Sequence, residues 1–265
     1  MQIQMIPVAD GVSLAVEAAP ASGKPTIVLS SSVGAGLGMW DELAARLSGH
    51  FRVVRYDARG HGQSQITDEP ITLATLGGDV IRILDALGIS RATICGLSLG
   101  GLTAQWLGVH HAGRFNGIVL ANTAANFPPA AMWHDRARAV RENGMQPLVA
   151  PTVDRWFTKA FQEREPKRVA EIAEMFSKTS SVGYARCCEV LASADMLPEL
   201  KSIRLPTRIL CGEHDPSTPP ARGEELAAEI PNAGIVTLKA AHISAIEDAD
   251  GFADAVRIFC AKLPQ

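Results

Sequence analysis

Thr93-Ile94-Cys95-Gly96-Leu97-Ser98-Leu99-Gly100-Gly101-Leu102 is the stretch from which the rest of the chain can be read. A β-branched, apolar run over 92–95 meets Gly-x-Ser-x-Gly, and a helix-like run over 102–111 follows. This order predicts a strand, a very tight turn and a helix. Gly96 and Gly100 carry no side chain, so strand and helix can approach closely enough to hold Ser98 in a strained backbone conformation. The strain lifts the Ser98 hydroxyl above the sheet edge. The N–H of Leu99 opens the helix and points into the same space, where developing negative charge is stabilised. The five-residue pattern is common by chance. The strand before it and the helix after it separate it from a plain βα turn with a surface Ser.

Outward from this turn, apolar runs alternate with helical spacing. Residues 2–6 and 12–18 read as a hairpin around Asp10-Gly11. Residues 26–30 and 51–56 read as strands buried on both faces, and so do 117–121. Between them, 39–47 and 73–87 show helical periodicity, the second with Leu76, Val80, Ile83, Leu84 and Leu87 on one face and Gly88 as its stop. Strands alternating with helices predict a mainly parallel, doubly wound sheet. The alternation breaks near residue 122 and resumes at 207–211, followed by a helix (222–229), a strand (234–238) and a last helix (249–263). The interval contains helix-like runs punctuated by Pro and Gly and no convincing strand. The expected organisation is a core of 1–125 and 198–265 carrying an all-helical cap over 126–197, inserted after the sixth strand of an eight-stranded sheet.

A length of 265 residues, 47% of them hydrophobic and 20% charged, suits one large α/β domain with an insertion. A net charge of -3 argues against nucleic acid as the main partner and offers no global steering for anions, so anion recognition must be local. The N-terminal residues lack a basic region and a long apolar stretch, and no run is long enough to span a membrane. The five cysteines match no metal-binding spacing and read as reduced thiols, which predicts a cytoplasmic protein.

A nucleophilic Ser needs a base, and the base needs an orienting carboxylate. In a parallel sheet both come from loops at the carboxyl ends of strands. The loops over 212–220 and 239–244 supply Asp215 and His242, in the chain order Ser, Asp, His. His214 and His61 are rival bases, and Asp57 and Glu213 are rival acids. His214 sits too close in sequence to Asp215 to be oriented by it. Asp57 and Arg59 read better as groups that knit loops together. His110 and His111 suit the C-terminus of the helix after Ser98.

These residues together resemble the α/β-hydrolase family, over nearly the whole chain. One branch, the 3-oxoadipate enol-lactonases, is matched by Ser32-Val33-Gly34 through Met39-Trp40, by the run 52–62, and by the stretch around Ser98. Further matches are Ala121-Asn122-Thr123-Ala124, Arg155-Trp156-Phe157, Gly183-Tyr184-Ala185, Thr218-Pro219-Pro220 and Ala241-His242-Ile243-Ser244. Two departures bear on the substrate. Ser31 stands where the family usually has Asn in the oxyanion loop, and Ala245 stands where it tends to have Asn after the base.

The resemblance implies an α/β-hydrolase fold and hydrolysis of a five-membered enol-lactone that carries a free carboxylate. Ser98 would be the nucleophile, His242 the base and Asp215 its orienter. The N–H groups of Val33 and Leu99 would receive the oxyanion, with Ser31 beside them, and no metal or organic cofactor is required. Trp133, Ala137 and Val140 form a stripe at i, i+4, i+7 on the first inserted helix, with Arg136 at its flank. Trp133 reads as a pocket wall and Arg136 as a carboxylate clamp. The competing reading puts Arg136, Arg138 and Arg141 on a solvated face with Asp135 and Glu142. A related carboxylesterase, lactonase or C–C bond hydrolase is the alternative activity. A cofactor-free perhydrolase and a hydrolase-like receptor are more distant ones. Nicotinamide binding fails because Met39 falls where Gly-x-Gly-x-x-Gly needs its third glycine.

Overall fold

The apolar runs become the strands of one sheet. In the computed structural model, which describes residues 2–67 and 69–263, these are β1 (Ile3–Ala9), β2 (Val12–Ala18), β3 (Thr26–Ser30), β4 (Arg52–Tyr56), β5 (Ala92–Leu97), β6 (Phe115–Ala121), β7 (Thr207–Gly212) and β8 (Ala233–Leu238). Their spatial order is β1-β2-β4-β3-β5-β6-β7-β8. The pairs β1–β2 and β2–β4 are antiparallel and the other neighbours are parallel. Every residue of β5 is buried, as a central strand covered by helices on both faces requires.

The flanking helices are α1 (Asp41–Leu47), α2 (Leu73–Ala86) and α3 (Leu99–His110). Thr72 starts α2 with a reciprocal capping box to Thr75, and the predicted face at Leu76, Val80, Ile83 and Leu84 is buried. A 3-10 turn over Leu37–Trp40 leads into α1, so the helical stretch begins slightly before the predicted one. The helix α3 begins directly after Ser98, three residues earlier than periodicity alone suggests, because the glycines leave no room for a looser turn.

Between β6 and β7 lie α4 (Ala130–Asn143), α5 (Val149–Trp156), α6 (Lys159–Arg164), α7 (Pro166–Ser177) and α8 (Ser181–Ser193). The chain enters and leaves this insertion through a tied neck. Asn126 and Asp195 form an antiparallel bridge, and Met196 N–H donates to the Ala125 carbonyl at 2.8 Å. The insertion docks tightly on the core. A Cβ on Gly183, at the start of α8, would lie 2.5 Å from the Gly60 Cα in the loop after β4. After β7 come α9 (Pro220–Glu229), α10 (Ser244–Glu247) and α11 (Ala249–Cys260). The short α10 directly follows His242 and was not expected from the sequence. Among the described residues no helix is long and apolar enough to cross a membrane.

The junction of β5 and α3 is the closest-packed point near the nucleophile position. A Cβ on Gly96 would meet the Gly100 carbonyl oxygen at 2.0 Å, and one on Gly100 would meet the Ser30 carbonyl oxygen at 2.1 Å. Both obstacles are backbone, which cannot rotate aside. Gly96→Ala should therefore destabilise the fold by about 3 kcal/mol, at the upper end of ordinary overpacking costs, measured by urea unfolding. Gly49→Ala, where a Cβ would meet nothing within 4 Å, should change stability by less than about 0.5 kcal/mol.

Candidate active site

Ser98 has φ 58° and ψ −114°, a backbone conformation that L-residues rarely adopt. Such residues typically cost about 1–3 kcal/mol and persist only where their surroundings hold them. Here Ser98 N–H donates to the Ala121 carbonyl at 3.0 Å, and the Ser98 carbonyl accepts from Leu102 N–H at 3.0 Å and from the Thr123 hydroxyl at 2.7 Å. The hydroxyl is thereby presented at the carboxyl end of the sheet, at the N-terminus of α3.

Asp215 is buried in the turn after β7, whereas its neighbours Glu213 and His214 are exposed. Its Oδ2 lies 2.8 Å from His242 Nδ1. The same oxygen accepts from the Thr218 hydroxyl at 2.6 Å and from Asn122 Nδ2 at 2.9 Å. Its Oδ1 accepts the N–H groups of Ser217 at 2.8 Å and Thr218 at 3.0 Å. Burial alone would raise its pKa. The charge of His242 and the hydrogen bonds from His242 and Thr218 outweigh burial and hold the carboxyl well below the usual carboxylate range. Asp215 is therefore ionised at any working pH. Because its Nδ1 faces Asp215, His242 leaves Nε2 as its other ring nitrogen.

Ser98 and His242 line one cavity of about 280 Å³. The inserted helices supply much of its wall: Trp133 and Arg136 from α4, Arg155 and Trp156 from α5, and Tyr184 from α8. Val33 borders the same space from the loop after β3. Among the described residues, the N–H groups of Val33 and Leu99 donate to no protein acceptor, whereas the adjacent Gly100 N–H is tied to the Ser31 carbonyl at 3.1 Å. Leu99 directly follows Ser98 in the chain, and Val33 lines the same cavity as Ser98.

Trp133 is buried and donates from Nε1 to the Phe127 carbonyl at 2.7 Å. The Arg136 guanidinium lies over its ring, 4.8 Å from the centroid. The neighbouring arginines pair elsewhere, Arg138 with Asp135 and Arg141 with Glu189, which leaves Arg136 apart from the solvated face. Arg155 faces the same cavity, and its pKa is lowered by burial and by the charge of Arg136. Among the described residues neither Arg136 nor Arg155 forms a salt bridge with a carboxylate.

Ser31 requires a correction. It does not line the cavity. Its hydroxyl accepts the indole N–H of Trp40 at 2.9 Å, and it faces the interior beneath the loop. Ser32, one residue on, lines the cavity instead. His61 is no base for Ser98, since both its ring nitrogens are bonded elsewhere in the core. Asp57 knits loops as expected, accepting from Leu37 N–H at 2.6 Å and Gln63 N–H at 3.0 Å. Arg59 pairs with Asp79 rather than with Asp57.

Sequence reasoning gave no role to Asn122 and saw Arg155 only as part of a matching segment. Asn122 has φ 42°, which Asn tolerates better than most residues. Its amide donates to Asp215 and to the Ala241 carbonyl, and its oxygen accepts the Ser244 hydroxyl. One side chain at the end of β6 thus ties the Asp215 turn to the His242 loop. Its only sequence signal is an Asn directly after a buried strand.

Residues 25–249 match the family described as alpha/beta hydrolase fold. The chain is similar to two curated proteins of Acinetobacter baylyi. It is 42% identical to 3-oxoadipate enol-lactonase 1, covering 94% of this chain and 93% of that one, and 41% identical to 3-oxoadipate enol-lactonase 2, covering 88% and 87%. Its backbone superposes on the crystal structure of the enol-lactonase from Burkholderia xenovorans with a TM-score of 0.94 at 42% identity, covering 97% of this chain and all of the other. With its sheet order, its strained Ser98 turn and these matches, the chain belongs to the α/β-hydrolase fold family.

Proposed function

We propose that the protein hydrolyses 3-oxoadipate enol-lactone, a five-membered enol-lactone bearing a free carboxylate, to a 3-oxo dicarboxylic acid through an acyl-enzyme on Ser98. The observation that carries this reading is one cavity that joins Ser98 and His242 to two guanidinium groups without carboxylate partners. A half-buried pair of like charges facing one cavity favours an anionic occupant. The enol-lactonases among its relatives supply the reaction class.

In this mechanism Ser98 Oγ attacks the ring carbonyl as its proton passes to His242 Nε2. Asp215 holds the Nδ1–H tautomer and stabilises the imidazolium. The tetrahedral oxyanion is received by the N–H groups of Val33 and Leu99. Collapse breaks the acyl C–O bond, and the departing enol oxygen takes the proton back from His242 Nε2. The enol then tautomerises to a ketone. An enolate is a far better leaving group than an alkoxide, so ring opening needs no further acid. His242 Nε2 next removes a proton from water as it attacks the acyl carbon; collapse breaks the bond from the acyl carbon to Ser98 Oγ, which takes that proton back from Nε2 and releases the carboxylic acid.

Arg136 and Arg155 hold the substrate carboxylate away from the reacting bond, against the Trp133 face. Residues 126–197 serve as the cap over a core of 1–125 and 198–265, so that the core supplies the reacting groups and the cap the recognition. A cytoplasmic setting accords with the five free cysteines, four of them buried.

Following the ultraviolet absorbance of the enol-lactone tests the assignment. Ser98→Ala should lose about 10⁴–10⁶ in kcat, and Asp215→Asn about 10⁴, the losses typical of such triads. A fluorophosphonate should label wild-type protein at Ser98. Enol-lactone turnover much slower than that of simple aryl esters would discard the substrate and keep the hydrolase. Arg136→Ala and Arg155→Ala should each raise KM for the carboxylated lactone by about 10- to 100-fold, the worth of a charge-assisted hydrogen bond, while KM for an uncharged aryl ester moves far less. Unchanged KM in both variants would refute the clamp.

A further inference from the structure

The loop after β4 buries a histidine for which the chemistry above has no use. His61 is 1% exposed and does not line the cavity. Its Nε2 lies 2.8 Å from the Gly34 peptide nitrogen, and its Nδ1 lies 3.0 Å from the Arg59 carbonyl oxygen. A peptide N–H can only donate and a carbonyl oxygen can only accept. Nε2 must therefore carry the lone pair and Nδ1 the hydrogen, which makes His61 a neutral imidazole of one defined tautomer. Burial lowers its pKa in the same direction.

Gly34 directly follows Val33, which lines the same cavity as Ser98. Ala35 N–H donates to the Ser32 carbonyl at 3.1 Å, which closes a turn with Val33 and Gly34 at its corner. Gly34 has φ +81°, the value of the third residue in a type II turn. Type I and type II turns differ by rotation of the central peptide, here the one joining 33 to 34. The bond to His61 Nε2 grips that peptide by its N–H. The neighbouring donors are also engaged: Gly36 N–H with Met175 Sδ at 3.4 Å and Leu37 N–H with Asp57 Oδ1 at 2.6 Å. From the other side, Thr179 Oγ1 donates to the Gly34 carbonyl at 3.2 Å. Four successive N–H groups, from 34 to 37, thus have acceptors in the protein. The Val33 N–H that precedes them has none among the described residues.

We propose that His61 is a positioning residue for oxyanion stabilisation: as a neutral acceptor it holds the Gly34 N–H, and so fixes in place the 32–35 turn on which the Val33 N–H stands beside the cavity. This rests on the reading of Val33 and Leu99 as the oxyanion donors. His61 touches no reacting atom. Its effect is confined to the transition state, because only there does the carbonyl oxygen gain the charge and position that the Val33 N–H meets.

The test compares His61→Leu with His61→Gln in the full-length enzyme. A Gln can accept from Gly34 at Oε1 and donate to Arg59 at Nε2, whereas Leu can do neither. His61→Leu should lower kcat by about 10- to 100-fold and leave KM for the enol-lactone within about twofold. His61→Gln should recover most of that loss. Affinity for a boronic acid that adds to Ser98 should fall in step with kcat, since the adduct places an oxygen in the same hole. Unchanged kcat in His61→Leu, a change carried mainly by KM, or a Gln variant no better than the Leu variant would each overturn the proposal. Should His61→Leu fail to fold, the wild-type protein still decides. A coupling across the hydrogen bond between the Gly34 amide nitrogen and His61 Nε2, read by ¹⁵N NMR, supports the proposal, and its absence overturns it. Wild-type protein that turns over no lactone or ester would remove the hydrolase reading and this one together. Active wild type with an intact His61→Leu kcat removes this one alone.

Discussion

Close backbone contact at the β5–α3 junction is the constraint on which the rest of the site depends. Gly96, Gly100 and the Ser30 carbonyl approach so closely that no Cβ fits between them. That contact forces Ser98 to φ 58°. The strain is sustained by bonds from Ser98 to β6 and to Thr123, so the sheet itself holds Ser98 in place. The same contact starts α3 at Leu99, whose N–H has no protein acceptor among the described residues. One packing fact thus sets both the position of the hydroxyl and one of the donors beside it.

Around this point the protein builds two rigid supports of opposite character. Asp215 sits in a cage of five donors, and its partner His242 inherits a fixed orientation from it. Across the cavity, the loop after β3 is held from beneath by His61 and Asp57 and from above by Thr179 and Met175. Asp57 is itself pushed up by burial, which two backbone N–H donors and the charge of Arg55 partly offset. Below this loop the buried, bidentate Arg59–Asp79 pair anchors the β4 loop to α2, with both bonds at 2.7 Å. Such a pair is costly to break from one side, because it leaves a buried charge uncompensated.

The inserted helices contribute shape and charge rather than reacting groups. Trp133, Arg136, Arg155 and Tyr184 reach the cavity from three separate helices. Their docking uses near-contacts of backbone, Gly60 against Gly183, and of a ring against backbone, Phe176 in the space a Cβ on Gly34 would need. These contacts also couple α7 and α8 to the loop that carries Val33. The helices that line the cavity and the loop that carries Val33 therefore share one packed interface.

By itself the sequence determined the elements and their order. Periodicity separated strands from helices, two glycines around Ser98 required a tight turn, and the loops at the right ends of later strands supplied Asp215 and His242 beside the rivals Glu213 and His214. Trp133 was legible from helical spacing, since it shares a buried stripe at i, i+4, i+7 with Ala137 and Val140, whereas spacing left Arg136 open between the cavity and a solvated face. Tertiary structure decided which serine of Ser31-Ser32 meets the cavity, because the indole N–H of Trp40, nine residues on, holds the Ser31 hydroxyl in the interior. It also decided that Arg155 joins Arg136, that Asn122 links two loops, and that His61 is a brace rather than a base. Each of these depends on pairs of residues far apart in the chain, whose distance and direction are set by sheet order and packing, and local composition carries no record of either.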